Sequence, residues 1–190
     1  MTETVNCCRW AQGDARMQAY HDEEWGVPVR DSRALWEKLV LDTFQAGLSW
    51  RTILYKREAF RIAFEDFDPR RIAAYGPAEI ERLMGDAGIV RARAKIEATI
   101  RNAQAYLAMQ DRGEDFSAFV WSFVDGRPAM GDGTGSAARS TVGDALSAAL
   151  KKRGFGFAGP VVVHAWLQAV GVIDDHEADC FRRSRPERIS

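Results

Sequence analysis

Cysteine and histidine crowd the two ends of this 190-residue chain, and neither type occurs between His21 and His164. Cys8 and His21 stand near the start, His176 and Cys180 near the finish. Two thiolates and two imidazoles are the donor set of tetrahedral structural Zn²⁺, whose four protein ligands leave no position open to substrate. A spacing of four puts His176 and Cys180 on one face if that segment is helical. One ion shared by both pairs forces the first and last segments of the fold together. The simpler reading is a scatter of soft side chains, with cysteine buried as a small hydrophobe. The flanking spacings are not those of a standard zinc finger.

The length suits one sizeable core or two subdomains. Apolar residues at 46% and charged residues at 28% are ordinary for a globular protein. A formal net charge of −1 gives no global pull on nucleic acid, so any such binding must come from local patches. Three cysteines, an odd number, argue against a disulfide framework. Met1 to Gly13 holds no signal-like apolar run, and no stretch could span a bilayer. A reducing cytoplasm and no membrane partner are the expectation.

Helical periodicity dominates and strand-like alternation is scarce, so the expected class is all-α. Asp31 or Ser32 caps a helix carrying Leu35, Leu39 and Ala46, stopped by Gly47. Ser49 caps the next, towards Phe64 and ending before Asp68-Pro69. A short helix reaches Tyr75, and Pro77 to Met84 forms another. The link Gly85-Asp86-Ala87-Gly88 leads to a long helix from about Arg91 to Gln110. Asp115 opens a helix through Val124. The Gly/Ser/Ala-rich stretch from Gly126 to Gly143 reads as a mobile surface loop. Thr141 with Asp144 suggests a capping box for the helix ending at Lys151-Lys152-Arg153. A last apolar helix runs from Pro160 to about Val172.

Asp42 shares a helical stripe with Leu35, Leu39 and Ala46. A carboxylate there costs desolvation unless a cation or donors satisfy it, so it is either structurally paired, with Arg51 a candidate partner, or held for a ligand. Trp10, Tyr20, Trp25, Trp36, Phe44 and Trp50 crowd the same region. They suit a slot that stacks a planar base or, read one by one, an aromatic core. Trp36 and Phe44 fit packing of their own helix. The Pro77–Gln110 hairpin can aim backbone N–H groups at a phosphate, with Arg91, Arg93 and Lys95 adding charge. As a bare pattern it is common. Lys151 to Arg153 reads as compensation of a helix dipole, His164 as a core histidine, and Arg182 to Arg188 as a solvated tail.

Taken in order, Cys8-Arg9-Trp10, Ala19 to Pro28, Gln45 to Trp50, Asp86-Ala87-Gly88-Ile89, Ala145-Leu146, Lys151 to Phe155 and Asp175-His176 resemble the 3-methyladenine DNA glycosylase I family, which belongs to the helix-hairpin-helix superfamily. The resemblance spans almost the whole chain. It implies an all-α helix-hairpin-helix glycosylase fold in which one structural Zn²⁺ per chain, on Cys8, His21, His176 and Cys180, ties the terminal segments together. Cys7 is then a bystander. Residues 1–30 and 115–190 would form the zinc-stapled subdomain and 31–114 the hairpin-bearing one, together one compact unit.

The implied activity is base-excision repair. The enzyme would flip 3-methyladenine out of double-stranded alkylated DNA and hydrolyse its N-glycosidic bond, acting as a monomer. Asp42 would be the pocket acid. Tyr20 and Trp50 would sandwich the base, with Met17, Trp10 and Trp25 completing its surroundings. Gly47 and Leu48 would fill the gap left in the duplex. Gly85, Gly88, Arg91 and Lys95 would hold the DNA backbone. The family's pocket acid is a glutamate, so Asp42 is one methylene shorter. Met17 stands where a tyrosine is common, Thr43-Phe44 follow the acid, and Ala165 replaces a possible hydroxyl. With Asp42, Met17 and Phe44 taken as pocket residues, the alternatives are a damage-binding paralogue with weak or no excision, or a glycosylase of altered lesion preference, such as 3-methylguanine.

Overall fold

The computed structural model describes residues 6–183, so the expectations for Met1 to Val5 and for Ser184 to Arg188 lie outside the described residues. Helices dominate: α1 (Ala15–Glu23), α2 (Ser32–Gln45), α3 (Trp50–Ala63), α4 (Pro69–Ala73), α5 (Pro77–Gly85), α6 (Arg93–Asp111), α7 (Phe116–Trp121), α8 (Thr141–Lys152) and α9 (Pro160–Ala169). Among the described residues no helix is long and apolar enough to cross a membrane.

Helix α2 is the axis. Asp31 caps it, its side chain accepting from the Ala34 amide at 2.8 Å. Leu35, Trp36, Leu39 to Leu41 and Phe44 are all buried, as are Asp42 and Thr43. A helix apolar on most sides belongs inside, and α3, α6, α7 and α9 pack around it. Two buried indoles meet the need of Trp for a partner at depth. Trp36 Nε1 donates to the Phe67 carbonyl at 3.0 Å, and Trp166 Nε1 to that of Leu35 at 3.1 Å. Phe44 sits in this core against Phe60 and Phe64, with ring centroids 4.8 and 5.7 Å away.

The helix ends follow capping chemistry, with two departures. Ser49 caps α3, as its position after Gly47-Leu48 suggests. Helix α8 is capped by Ser140, whose hydroxyl accepts from the Gly143 amide at 3.0 Å, and Thr141 is already helical. At the end of α2, Lys95 reaches across from α6. Its Nζ donates to the carbonyls of Phe44 at 2.9 Å and Ala46 at 2.5 Å. A cation there satisfies orphan carbonyls and the negative helix terminus together. Lys95 is therefore a clamp on α2 rather than a free charge for DNA.

The segment expected to be a mobile loop is partly built in. Ala129–Met130 (β1) pairs in parallel with Ile173–Asp174 (β2), Ala129 opposite Ile173 and Met130 opposite Asp174. Arg183, expected in a solvated tail, donates to the carbonyls of His176 and Gly131. The segment from His176 to Cys180 is a turn, not a helix, so the two residues do not share a helical face. The terminal segments do meet: the Phe181 amide donates to the Asn6 carbonyl at 2.9 Å, and Arg9 pairs with Glu177 at 3.1 Å.

Lys95→Met should lower stability by about 1–3 kcal/mol, the worth of charge-assisted hydrogen bonds at a partly exposed site. Urea denaturation measures it. Affinity for undamaged DNA should change less than in Arg91→Ala, and the reverse order would return Lys95 to the DNA interface.

Candidate active site

Helices α1, α2 and α3 bring Tyr20, Asp42 and Trp50 to one place, and the 3-10 turn Arg9–Ala11 adds Trp10. Together with Trp25 and Gln45 they line a cavity of about 290 Å³. Its other wall comes from the chain's second half: Gly135 to Ala138, then Ala165, Gln168 and Ala169 on α9, and Asp175 just past β2. Such a volume lies near the lower end for small-ligand clefts.

Asp42 is buried and its Oδ2 has no hydrogen-bond partner. Burial pushes its carboxyl up to about 7, against the opposing pull of Lys38 one helical turn away. Arg51, the expected partner, is instead paired with Asp14 at 2.8 Å. Burial in turn lowers the Lys38 ammonium, partly offset by Glu24 and Asp42. The Lys38 ammonium also lies 5.3 Å from the Tyr20 ring centroid, a cation over an aromatic face. Trp50 Nε1 is a second buried group without a partner.

The aromatic residues touch one another. Tyr20 and Trp50 have centroids 5.1 Å apart and planes at 37°, and Trp10 stands edge-on to Trp25 at 5.1 Å. A base between two rings needs them roughly 7 Å apart, twice a carbon–carbon contact. Tyr20 and Trp50 therefore form one wall of the cavity, not an open sandwich. Met17 is absent from that wall and packs with Tyr20 and Leu54 in a small cluster of their own. Phe44, read as a pocket residue, lies in the main core. Two of the three substitutions that suggested a damage-binding paralogue thus fall outside the cavity lining. Ala165 does line it.

At the terminal junction the ligand atoms of Cys8, His21 and Cys180 all lie within 4.8 Å of one another, close enough to hold one metal ion. Cys180 Sγ is 3.4 Å from His21 Nε2. His176 stands outside that trio, but its ring centroid is 5.3 Å from that of His21, and its buried Nε2 has no partner. Both imidazoles are oriented alike: His21 Nδ1 is 2.7 Å from Asp22 and His176 Nδ1 2.9 Å from Asp174. A carboxylate on Nδ1 fixes the tautomer that leaves Nε2 as a donor to metal. Burial pushes the Cys8 thiol up to about 12, so without a cation it stays protonated. Two thiols and two oriented imidazoles fit a tetrahedral metal. Cys7 is half-buried and outside the group.

The residues expected at DNA divide. Leu48 is 44% exposed on the turn after α2, where Gly47 adopts φ +81°. Arg91 is exposed as well. Gly85 closes α5 rather than lying free in the link, and the Gly88 amide is taken by Asp86 Oδ1 at 2.7 Å. Lys56 of α3 donates to the carbonyls of Ala87 and Gly88 at 2.8 and 3.2 Å, which stiffens the hairpin turn. Reading by segment missed Lys56, Lys38, Gln168 and Asp175.

A mostly helical protein with an aromatic cavity and a buried carboxyl offers a site suited to a flat, electron-poor ligand. The model of the methyladenine glycosylase family matches residues 10–183. DNA-3-methyladenine glycosylase 1 of Escherichia coli (strain K12) is 48% identical over 176 residues, which are 91% of this chain and 94% of that protein. A crystal structure of 3-methyladenine DNA glycosylase I superposes with a TM-score of 0.91 at 47% identity, covering 94% of this chain and all of the other. A Staphylococcus aureus structure, described as showing the basis of 3-methyladenine recognition, gives 0.89 at 39% identity, covering 96% of this chain and 98% of that one. The chain belongs to the methyladenine glycosylase family.

The raised Asp42 carboxyl has a measurable consequence. The folded protein holds this proton more tightly than the unfolded chain, whose carboxyl titrates near 3.8. The resulting stability is complete below that value and is lost as pH rises through about 7. Asp42→Asn removes the titration. Its urea midpoint should gain on the wild type steadily from about pH 4 to pH 8, by up to a few kcal/mol; parallel curves would place Asp42 in water.

Proposed function

We propose that this chain is a monofunctional glycosylase of base-excision repair that hydrolyses the N-glycosidic bond of 3-methyladenine in alkylated double-stranded DNA. The observation that carries the reading is the cavity itself: four aromatic side chains and a buried Asp42 oxygen without a partner, in a family whose relatives are named for this activity. An N3-alkylated adenine in DNA is cationic, so its glycosidic bond is primed to break. The protein has to swing the nucleotide out, grip the base, and leave the anomeric carbon open to water. Aromatic faces favour a cationic ring. Asp42 accepts a hydrogen bond from the adenine edge, and Trp50 Nε1 offers a donor to it. Among the described residues no lysine lines the cavity, so water rather than a Schiff base takes the sugar.

The remaining roles follow the fold. Leu48, exposed on the Gly47 turn, fills the gap in the duplex, while the α5–α6 hairpin and Arg91 track the backbone. Tyr20 and Trp50 part, or receive the base on their outer faces, when the nucleotide enters. Cys8, His21 and Cys180, with His176 beside them, would hold one structural Zn²⁺. Such an ion would tie the first segment of the chain, up to residue 30, to the last, from 115 on, with 31–114 as the hairpin lobe. Its four protein ligands would leave no position open to substrate, so its role would be to order the chain. The protein works as a monomer in the cytoplasm.

Asp42→Asn should slow release of 3-methyladenine from methylated DNA about ten- to a hundredfold, as the loss of one charge-assisted bond implies. Chromatography of released bases reads it, and absence of release by the wild type would end the proposal. Protein purified without added metal should carry about one Zn²⁺ per chain. Cys180→Ala should lower the melting temperature without altering the turnover of the protein that remains folded.

A further inference from the structure

The cavity has a second acid. Asp175 is buried, 1% exposed, and lines the same space as Asp42. One of its oxygens, Oδ2, accepts from Gln168 Nε2 at 2.6 Å, and the other, Oδ1, is buried with no hydrogen-bond partner. Gln168 also faces the cavity. A carboxylate oxygen left alone at this depth costs free energy that a purely structural acid avoids by finding a donor. The surroundings are shaped to keep it there. Gly131 lies against the carboxylate, and a Cβ at that position would overlap Oδ1. Met130 and Asp174 are paired in the strand register, which fixes both segments.

We propose that Asp175 is a specificity-determining residue that touches the flipped base and, through Oδ1, accepts a hydrogen bond from its exocyclic amino group. This rests on the glycosylase reading above and deepens it. A carboxylate offers acceptors alone. It therefore suits a purine edge that carries N–H donors at C6, as 3-methyladenine does, and opposes one that carries a carbonyl oxygen, as 3-methylguanine does. A site built to receive a donor rejects the analogue lacking it, because a buried acceptor is then left facing another acceptor. Asp42, from α2, and Asp175, from the segment after β2, reach the base from separate elements. Gln168 then has two tasks, holding Oδ2 and orienting Oδ1.

The test is a competition within one tube. DNA methylated with dimethyl sulfate carries both lesions, and the ratio of 3-methyladenine to 3-methylguanine released is independent of how much protein is folded. Asp175→Asn keeps the shape and the Gln168 contact but adds a donor, and should lower that ratio about tenfold relative to the wild type. Gly131→Ala, which crowds the carboxylate from its place without removing it, should lower the ratio as well. An unchanged ratio in both variants overturns the role of Asp175 while leaving the glycosylase reading intact. A wild type that releases neither base overturns that reading instead.

Discussion

The burial of α2 is the constraint on which the site depends. Apolar side chains surround this helix on most sides, so its one buried acid, Asp42, cannot turn to water without dragging Leu35, Leu39 or Phe44 out of the core. The carboxyl instead faces a cavity and keeps its proton to about 7. Packing thus decides the chemistry. Lys38, one turn earlier on the same face, softens that cost without cancelling it, because it is itself partly engaged with Glu24 at 4.0 Å. A strongly paired acid would have ordinary acidity and no free oxygen. An acid held apart from its cation has both a free oxygen and a pKa close to neutrality.

The second constraint is the meeting of the chain ends. The cavity draws one wall from α1 to α3 and another from residues beyond 134, so it exists only if both halves are held in register. The junction is tight at backbone level. Gly26 adopts φ +76° with the His176 ring pressed against its Cα, and a side chain there would displace that ring. From His176 the contacts continue outward. Arg183 ties its carbonyl to that of Gly131, and the Ala178 amide donates to Gly133 at 2.9 Å. The cavity-lining stretch 135–138 begins two residues later. Order at the soft-ligand cluster therefore reaches the cavity through a few short, named contacts, and the terminal junction and the pocket belong to one mechanical unit.

What could be read from the residues divides by range. The cap at Ser49, the stop at Gly47 and the interior place of Asp42 are local or periodic properties legible in the order of residues, while the choice of Asp31 over Ser32 as the α2 cap is not. The β1–β2 pair joins residues more than forty positions apart through two residues each, far too short to leave an alternating pattern. Ser140 and Thr141 are equally good caps by type, and only the backbone decides between them: Ser140 is extended at φ −144°. Lys95 and Arg51 look alike as surface cations. The α2 terminus takes one and Asp14 the other, both long-range choices. Met17 lies close to the pocket aromatics in order and in space, yet one turn of α1 separates it from the cavity face that Tyr20 presents.

Two buried carboxyls around one cavity pose an energetic problem whose answer is selectivity. Each has a free oxygen, and both would repel one another if ionised with nothing between them. A neutral purine relieves only the hydrogen-bonding deficit. A cationic purine relieves the charge as well, and it can draw the Asp42 proton away, because a pKa near neutrality lies within easy reach of one adjacent positive charge. On the proposed reading the alkylated base is favoured twice, once by its donor edge and once by its charge, while ordinary adenine gains only the first. Since an undamaged base also leaves its stack less readily, the two discriminations multiply. An enzyme that must pass over a vast excess of normal adenine can then rely on a weak, soft pocket, with no strong catalytic group poised against the bond it is meant to leave alone.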